Sequence, residues 1–291
     1  MFCVSYRLPA ALREHLCAAV IHMRNSPSKI VLLRAAIANK TLQAPEYSVR
    51  VSLGPPSVDA SLKGGLQRGA LHEIFADCGH EMAATGFVAA LCLRIAASQH
   101  FLWIRQDFSA REYGELSGAG FLALGLNPAC LLLLRATDAA QALCAAADAL
   151  SCSAFGAVVI EIPGAPKILD LVASRRLALG AAQKNVTALL LRFAAEPQPS
   201  ATETRWLIRA ARSPVEEENW DQPVFETRLV RNRRGRTGQW VMEWNCEANL
   251  FREIYNKDAA NLGALVPAPS NRPSSAAVES HGSTRGFQPV T

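Results

Sequence analysis

The sequence predicts an α/β fold: a mostly parallel, twisted sheet flanked by helices and finished by a C-terminal antiparallel hairpin. Three observations carry this. From Leu71 to Phe193, short and nearly continuous apolar runs alternate with longer Ala/Leu-rich runs, as expected of strands buried on both faces by crossover helices. The runs are joined by short polar turns rather than long linkers. Beyond residue 204 the pattern becomes strands alone, with a tight turn at "RRGRTG", which suits an antiparallel hairpin at a sheet edge.

Taken in order, "LHEIF" (Leu71–Phe75) reads as a strand and "AATGFVAALCLRIAAS" (Ala83–Ser98) as a helix. "HFLWIRQ" (His100–Gln106) is a strand, and "SAREYGELSGAGFLAL" (Ser109–Leu124) a helix interrupted by glycines. The strand "CLLLLRA" (Cys130–Ala136) precedes the helix "DAAQALCAAADALSC" (Asp138–Cys152), where Asp138 is placed to cap the N-terminus. "FGAVVIEIPG" (Phe155–Gly164) is a buried strand, "ILDLVASRRLALGAAQKN" (Ile168–Asn185) a helix and "VTALLLRF" (Val186–Phe193) a strand. "RWLIRAARS" (Arg205–Ser213) and the hairpin Phe225–Asn245 complete the sheet.

Four segments result: an N-terminal helical stretch and linker (1–50), the α/β domain (51–245), a C-terminal segment (246–263) and a Pro/Ser/Gly-rich tail (264–291) predicted to be disordered. Within the first, residues 9–24 place Leu12, Leu16, Val20 and Met23 at helical spacing, and a second apolar-basic stretch spans Ile30–Lys40.

Composition narrows the function. The chain has 291 residues, half of them apolar, so it can bury a large core. A net charge of +5 permits nucleic-acid or acidic partners without requiring them. The eight cysteines form no CxxC pair and lie near no His at zinc-ligand spacing, so they read as buried free thiols in a reducing compartment. Arg7, Pro9, Arg13 and Glu14 break the N-terminal apolar run, which excludes a signal-peptide reading. The longest uncharged run, Leu116–Leu134, is divided by a Gly-Leu-Asn-Pro turn, so no membrane span is expected. These readings imply a cytoplasmic protein.

The loop between the first strand and helix is where a phosphate-binding unit would keep its chemistry. Such a loop needs GxxxxGK[ST]: glycines that turn backbone N–H groups inward, a Lys for the terminal phosphates, and a hydroxyl for magnesium. Here Ala76, Asp77, Cys78, Gly79, His80, Glu81, Met82, Ala83 and Ala84 occupy that place. It contains no Lys, no Gly-Lys-Ser/Thr, and two acids that would repel a phosphate. Glu161, at the end of "AVVIEI", stands where a magnesium-holding acid would be, and Asp107 follows "HFLWIRQ". His72 and His80 have no partner pattern. No cofactor, metal site or catalytic residue is assigned, and no enzyme activity is expected.

The segment "VSLGPPSVDASLKGGLQRGALHEIF" resembles the entry to the phosphate loop of RecA-type recombinases. The matching residues are Ser52, Gly54, Val58, Asp59, Leu62, Gly64, Gly65, Leu66, Gly69, Glu73 and Ile74. "RNRRGRTGQW" (Arg231–Trp240) is similar to the Asn-Arg-x-Gly-x-Thr-Gly turn in the last hairpin of RecA-like ATPases and helicases. Together with "AATGF" in place of Gly-Lys-Thr, "SRRLALGAAQ", "TRW" and "EW", these features resemble the ImuA family of bacterial mutagenesis cassettes, over roughly Val51–Asn245. That resemblance implies a RecA-like core and an SOS-induced accessory protein of translesion DNA synthesis. The implied partners are an ImuB-type relative of Y-family polymerases and, indirectly, an error-prone DNA polymerase III alpha subunit. RecA and DNA are further candidate partners, with association to the nucleoid on DNA damage. The missing loop Lys, and Leu191, Arg192 and Phe193 where RecA has a polar Asn-Gln, speak against ATP hydrolysis. A DNA-dependent ATPase with an unusual loop and a SulA-like inhibitor of cell division are the alternatives.

Besides the N-terminal helix, two surfaces are candidates for contact. Arg228, Arg231, Arg233, Arg234 and Arg236 crowd the hairpin, with Trp240 on the returning strand; they suit DNA phosphates or an acidic partner, or simply a solvated turn. Alternation sets Trp240, Met242 and Trp244 on one face, which favours a core or partner contact. Leu250, Ile254 and Tyr255 would form an apolar stripe for a partner in the C-terminal segment.

Overall fold

The computed structural model describes residues 49–96, 99–213 and 222–254. The stretches 9–24 and Ile30–Lys40, the tail and Tyr255 lie outside them.

The described chain begins with a small entry unit. Strand β1 (Arg50–Val51) pairs antiparallel with β2 (Leu66–Gln67), and helix α1 (Pro56–Ser61) lies between them. The residues that carry the resemblance fasten this unit. Asp59 accepts the Leu53 N–H at 2.9 Å and the Ser52 hydroxyl. Gly65 adopts φ +120°, and a Cβ there would sit 2.3 Å from the Val51 carbonyl oxygen, so a side chain cannot be accommodated.

Nine strands then form one sheet. In chain order the next elements are β3 (Leu71–Ala76), α2 (Glu81–Ala96), β4 (His100–Gln106), α3 (Asp107–Tyr113), α4 (Gly118–Ala123) and β5 (Leu131–Ala136). There follow α5 (Ala139–Leu150), β6 (Phe155–Glu161), α6 (Leu171–Lys184), β7 (Thr187–Arg192), β8 (Thr204–Ala210), β9 (Val224–Asn232), β10 (Gly238–Asn245) and β11 (Leu250–Glu253). Their order across the sheet is β11-β10-β9-β8-β3-β7-β6-β4-β5. Strands β3 to β8 run parallel, while the β8–β9, β9–β10 and β10–β11 pairs are antiparallel. The fold is therefore α/β with a mostly parallel sheet and antiparallel C-terminal strands.

Each sheet face has its own core. Helix α2 packs Phe87, Val88, Leu91 and Ile95 onto Trp103, Val159, Leu191 and Trp206. Its Phe87 ring meets Trp206, Phe225 and Phe251 at centroid distances of 6.0, 5.7 and 5.3 Å, within the range of favourable ring contacts. On the opposite face, α5 and α6 use small residues, Ala142, Ala146 and Ala181, to approach Leu102, Ile104, Val158, Ile160 and Leu190. Asp138 caps α5 by accepting the Gln141 N–H at 2.8 Å, and Asp170 caps α6 through Ala173 at 2.7 Å.

The glycine interruption expected within Ser109–Leu124 falls at Gly114, which turns the chain at φ +78° and leaves two helices. Two expectations need correction. Among the six described cysteines only Cys92 is fully buried; Cys78, Cys144 and Cys152 are exposed. They lie in the β3–α2 loop, on the outer side of α5 and in the turn after it, where Ala-rich runs still leave one side in solvent. The sheet also continues past Asn245: Leu250–Glu253 pairs with β10 as a strand, so Leu250 and Ile254 are not on a helical stripe. In a strand, Leu250 and Phe251 face opposite ways, and Phe251 fills the core.

His72 links the core to solution pH. It is fully buried, 2.7 Å from the Thr204 hydroxyl and 2.8 Å from the Gln67 carbonyl oxygen. Burial is the main cause that lowers its pKa to about 4; Arg50 adds to the effect and the Gln67 carbonyl opposes it. The unfolded imidazole takes its proton near pH 6.5, whereas the folded one resists until about 4. Stability is thus expected to fall by about 3 kcal/mol as pH drops through that window. Urea unfolding at several pH values should show this loss, and His72→Asn should flatten it.

Candidate functional site

The β3–α2 loop sits at the carboxyl ends of the parallel strands, where α/β proteins of this kind bind ligands. Its own acids occupy the backbone donors. Asp77 accepts the Cys78 N–H at 2.9 Å and forms an ion pair with Arg209 at 3.1 Å. Glu81, the first residue of α2, accepts the Gly79 N–H at 3.3 Å. His80 Nδ1 accepts the Ala210 N–H at 3.1 Å, tying the loop to the end of β8. Gly79 takes φ +78°, and a Cβ there would meet nothing within 4 Å. A phosphate would meet two carboxylates at the helix N-terminus that would normally attract it.

Glu161 is not presented to solvent. It is fully buried at the end of β6, accepting the Trp103 indole N–H at 2.9 Å and pairing with Arg105 at 3.0 Å. Arg105 also donates to the Gly114 carbonyl at 3.0 Å. The acid therefore closes a network between β4, β6 and the turn after α3, and both carboxylate oxygens are engaged. Among the described residues, no group of three or more His, Cys, Asp or Glu side chains is placed to hold a metal ion.

A second buried network was not anticipated from the sequence. Glu73 on β3 pairs with Arg205 at 2.7 Å and approaches Arg192 at 3.8 Å. Ser200 donates to the same carboxylate at 3.0 Å. The Arg192 and Arg205 guanidinium groups lie over the Phe75 ring, at 5.8 and 5.6 Å respectively. Arg192 further donates to the carbonyls of Ile162 and Gly164. Burial pulls its pKa down, the Glu73 carboxylate opposes that shift and Arg205 adds to it. The end of β7 is thus fixed to the end of β6 and to the chain after it. The signal was present as a lone Arg inside the apolar strand "TALLLRF".

Comparison with known proteins narrows the reading further. No protein-family model matches the chain. It is 32% identical over 212 residues to Protein ImuA of Caulobacter vibrioides strain NA1000 / CB15N, an alignment covering 66% of this chain and 82% of that protein. The same values hold for Protein ImuA of strain ATCC 19089 / CIP 103742 / CB 15. The chain belongs to the ImuA family.

In this ImuA-family chain the basic hairpin divides into fixed and free arginines. Arg231 donates to the Ser200 carbonyl at 2.8 Å, and Arg234 pairs with Glu203 at 3.1 Å. Arg228, Arg233 and Arg236 are exposed. Trp240 is not on the surface: it is 9% exposed and packs in the core 6.3 Å from Trp206. It therefore belongs to the α2 face, because β10 alternates Trp240, Met242 and Trp244 inward.

The Asn-Arg-x-Gly turn has a structural task. The Asn232 amide donates to Ser61 and Arg236 carbonyls at 2.9 and 3.0 Å, and its oxygen accepts the Arg234 and Gly235 N–H groups at 3.3 and 3.1 Å. Gly235 lies so close that a Cβ would fall 2.0 Å from the Ser61 carbonyl oxygen. Asn232→Ala is expected to cost about 2 kcal/mol, since it leaves several backbone groups unpaired. Chemical denaturation checks this, and increased proteolysis within 233–237 would locate the loosening. Leu250 and Ile254 are half-buried on β11 and just beyond it. Among the described residues, no helix is long and apolar enough to cross a membrane.

Proposed function

We propose that this chain is a non-catalytic RecA-like accessory protein of SOS-induced, error-prone translesion DNA synthesis. It assembles with an ImuB-type relative of Y-family polymerases and, through that partner, with an error-prone DNA polymerase III alpha subunit. RecA and DNA are further partners, and DNA damage brings the complex to the nucleoid. The observation that carries the non-catalytic reading is the loop itself: Asp77 and Glu81 accept the N–H groups of Cys78 and Gly79, donors of the kind that a phosphate would use. Membership of the ImuA family supports the setting in a mutagenesis cassette.

The protein works by surface contact rather than chemistry. Arg228, Arg233 and Arg236 offer an exposed positive edge suited to phosphates or acidic side chains. Calorimetric titration with magnesium-ATP is expected to give no heat of binding, while co-purification with the ImuB-type partner is expected to succeed. Tight ATP binding would overturn the non-catalytic reading. Failure to capture the partner would overturn the assembly reading.

A further inference from the structure

The two ends of the sheet are finished in opposite ways. At one end, β11 is four residues long and carries exposed Arg252 and Glu253. Its outer side is covered, because the Phe251 N–H donates to the Leu53 carbonyl at 2.9 Å. Short, charged and covered strands are how proteins blunt an edge. At the other end, β5 pairs with β4 alone. It reads Leu131-Leu132-Leu133-Leu134-Arg135-Ala136, with no Pro, Lys or bulge. Among the described residues, apart from the Leu131 N–H, which donates to the Pro128 carbonyl, none of its backbone groups is bonded beyond the ladder with β4. Leu133 is 43% exposed, and Leu131, Leu132 and Leu134 are half-buried. The one charge, Arg135, is already bound to Glu115.

What fits this edge is specified by its chemistry. Every second residue offers N–H and C=O groups at sheet spacing, so the occupant is an extended strand. Leu131 belongs to the core under α2, and Leu132 and Leu134 to the core under α5 and α6. The occupant therefore brings apolar side chains to both of its faces. Strand β5 itself has that character. We infer that β5 is a self-association edge, where two copies of this chain pair antiparallel about a two-fold axis to make one continuous sheet.

Register and charge agree with a second copy as occupant. Centred on Leu133, the pairing sets Leu133 opposite Leu133, Leu132 opposite Leu134, and Leu131 opposite the aliphatic stem of Arg135. The two Arg135 groups then lie at opposite ends of the ribbon, each beside its own Glu115, so like charges do not face each other. Such an interface is self-complementary, as two-fold symmetry demands.

Sedimentation velocity of the full chain over a wide concentration range tests this. Wild type is expected to dimerise reversibly. Leu133→Lys would set two ammonium groups face to face and is expected to leave only monomer, whereas Leu122→Lys, at an exposed leucine on α4, is expected to leave the dimer intact. Leu133→Cys, which keeps the strand apolar, should give a covalent dimer on mild oxidation that Leu122→Cys does not. A wild-type monomer at every concentration overturns the inference. So does a Leu133→Lys protein that still dimerises, or equal cross-linking by the two cysteine variants. Capture of the ImuB-type partner is read separately and is expected to be unchanged by Leu133→Lys.

Discussion

Glu73→Ala is expected to destabilise the fold by about 3–5 kcal/mol, the cost of leaving a buried charge without its partner. The carboxylate is 3% exposed at its side chain and stands between two guanidinium groups. Removing it leaves Arg192, with a side chain 6% exposed, and Arg205, at 10%, facing each other in the interior. Arg192 keeps its carbonyl acceptors at Ile162 and Gly164, and Arg205 keeps Gln198 and Ser200, so the hydrogen bonds survive in part. What is lost is the compensating charge. Glu73→Gln should therefore cost nearly as much as Glu73→Ala, although it preserves shape. Replacing Glu73 and both arginines together by apolar residues of similar volume should cost far less than either single change, because no orphan charge remains. Urea midpoints for this set distinguish a charge effect from a packing effect. Equal losses in the single and the combined variants would show that volume, not charge, decides.

The same residues show why some of this architecture was legible in the sequence and some was not. Strands and helices from Leu71 to Arg192 follow from apolar run length, since parallel strands are buried on both faces and declare themselves as continuous apolar stretches. The caps at Asp138 and Asp170 were also local, although only the first was read from the sequence. The end of the helical stretch at Gly114 needed a positive φ that sequence spacing does not assign to one glycine among several. Strand β11 was missed because "LFRE" is short and half charged, and its strand character comes from pairing with β10 rather than from its own pattern. That the β3–α2 loop carries two acids and no Lys was legible from residue types alone. That Asp77 and Glu81 bond the loop's own N–H groups was not, because those contacts depend on how the loop turns. The buried arginines were least legible: Arg105, Arg192 and Arg205 come from different strands, and only the strand order brings their partners beside them.

Glu161→Gln separates a structural acid from a catalytic one. In a nucleotide-hydrolysing enzyme an acid at this strand end would hold a metal ion, and the amide would abolish turnover while leaving the fold intact. Here the carboxylate is fully buried and both its oxygens are taken, one by the Trp103 indole and the other by Arg105. The Arg105 Nε is itself buried without a hydrogen-bond partner, so the guanidinium relies on Glu161 and the Gly114 carbonyl. The amide keeps a single acceptor oxygen and removes the charge. A loss of roughly 3 kcal/mol in unfolding free energy is expected, with a loosening of the Gly114 turn visible as faster amide exchange. Arg105→Met should cost a similar amount by stranding the carboxylate. Because each variant already breaks the same pair, the double variant should lose clearly less than the two single losses added together. Full additivity would mean that the two groups do not depend on each other. An unchanged unfolding midpoint in Glu161→Gln would mean that the acid does not hold the strand ends together and that its place in the fold serves chemistry after all.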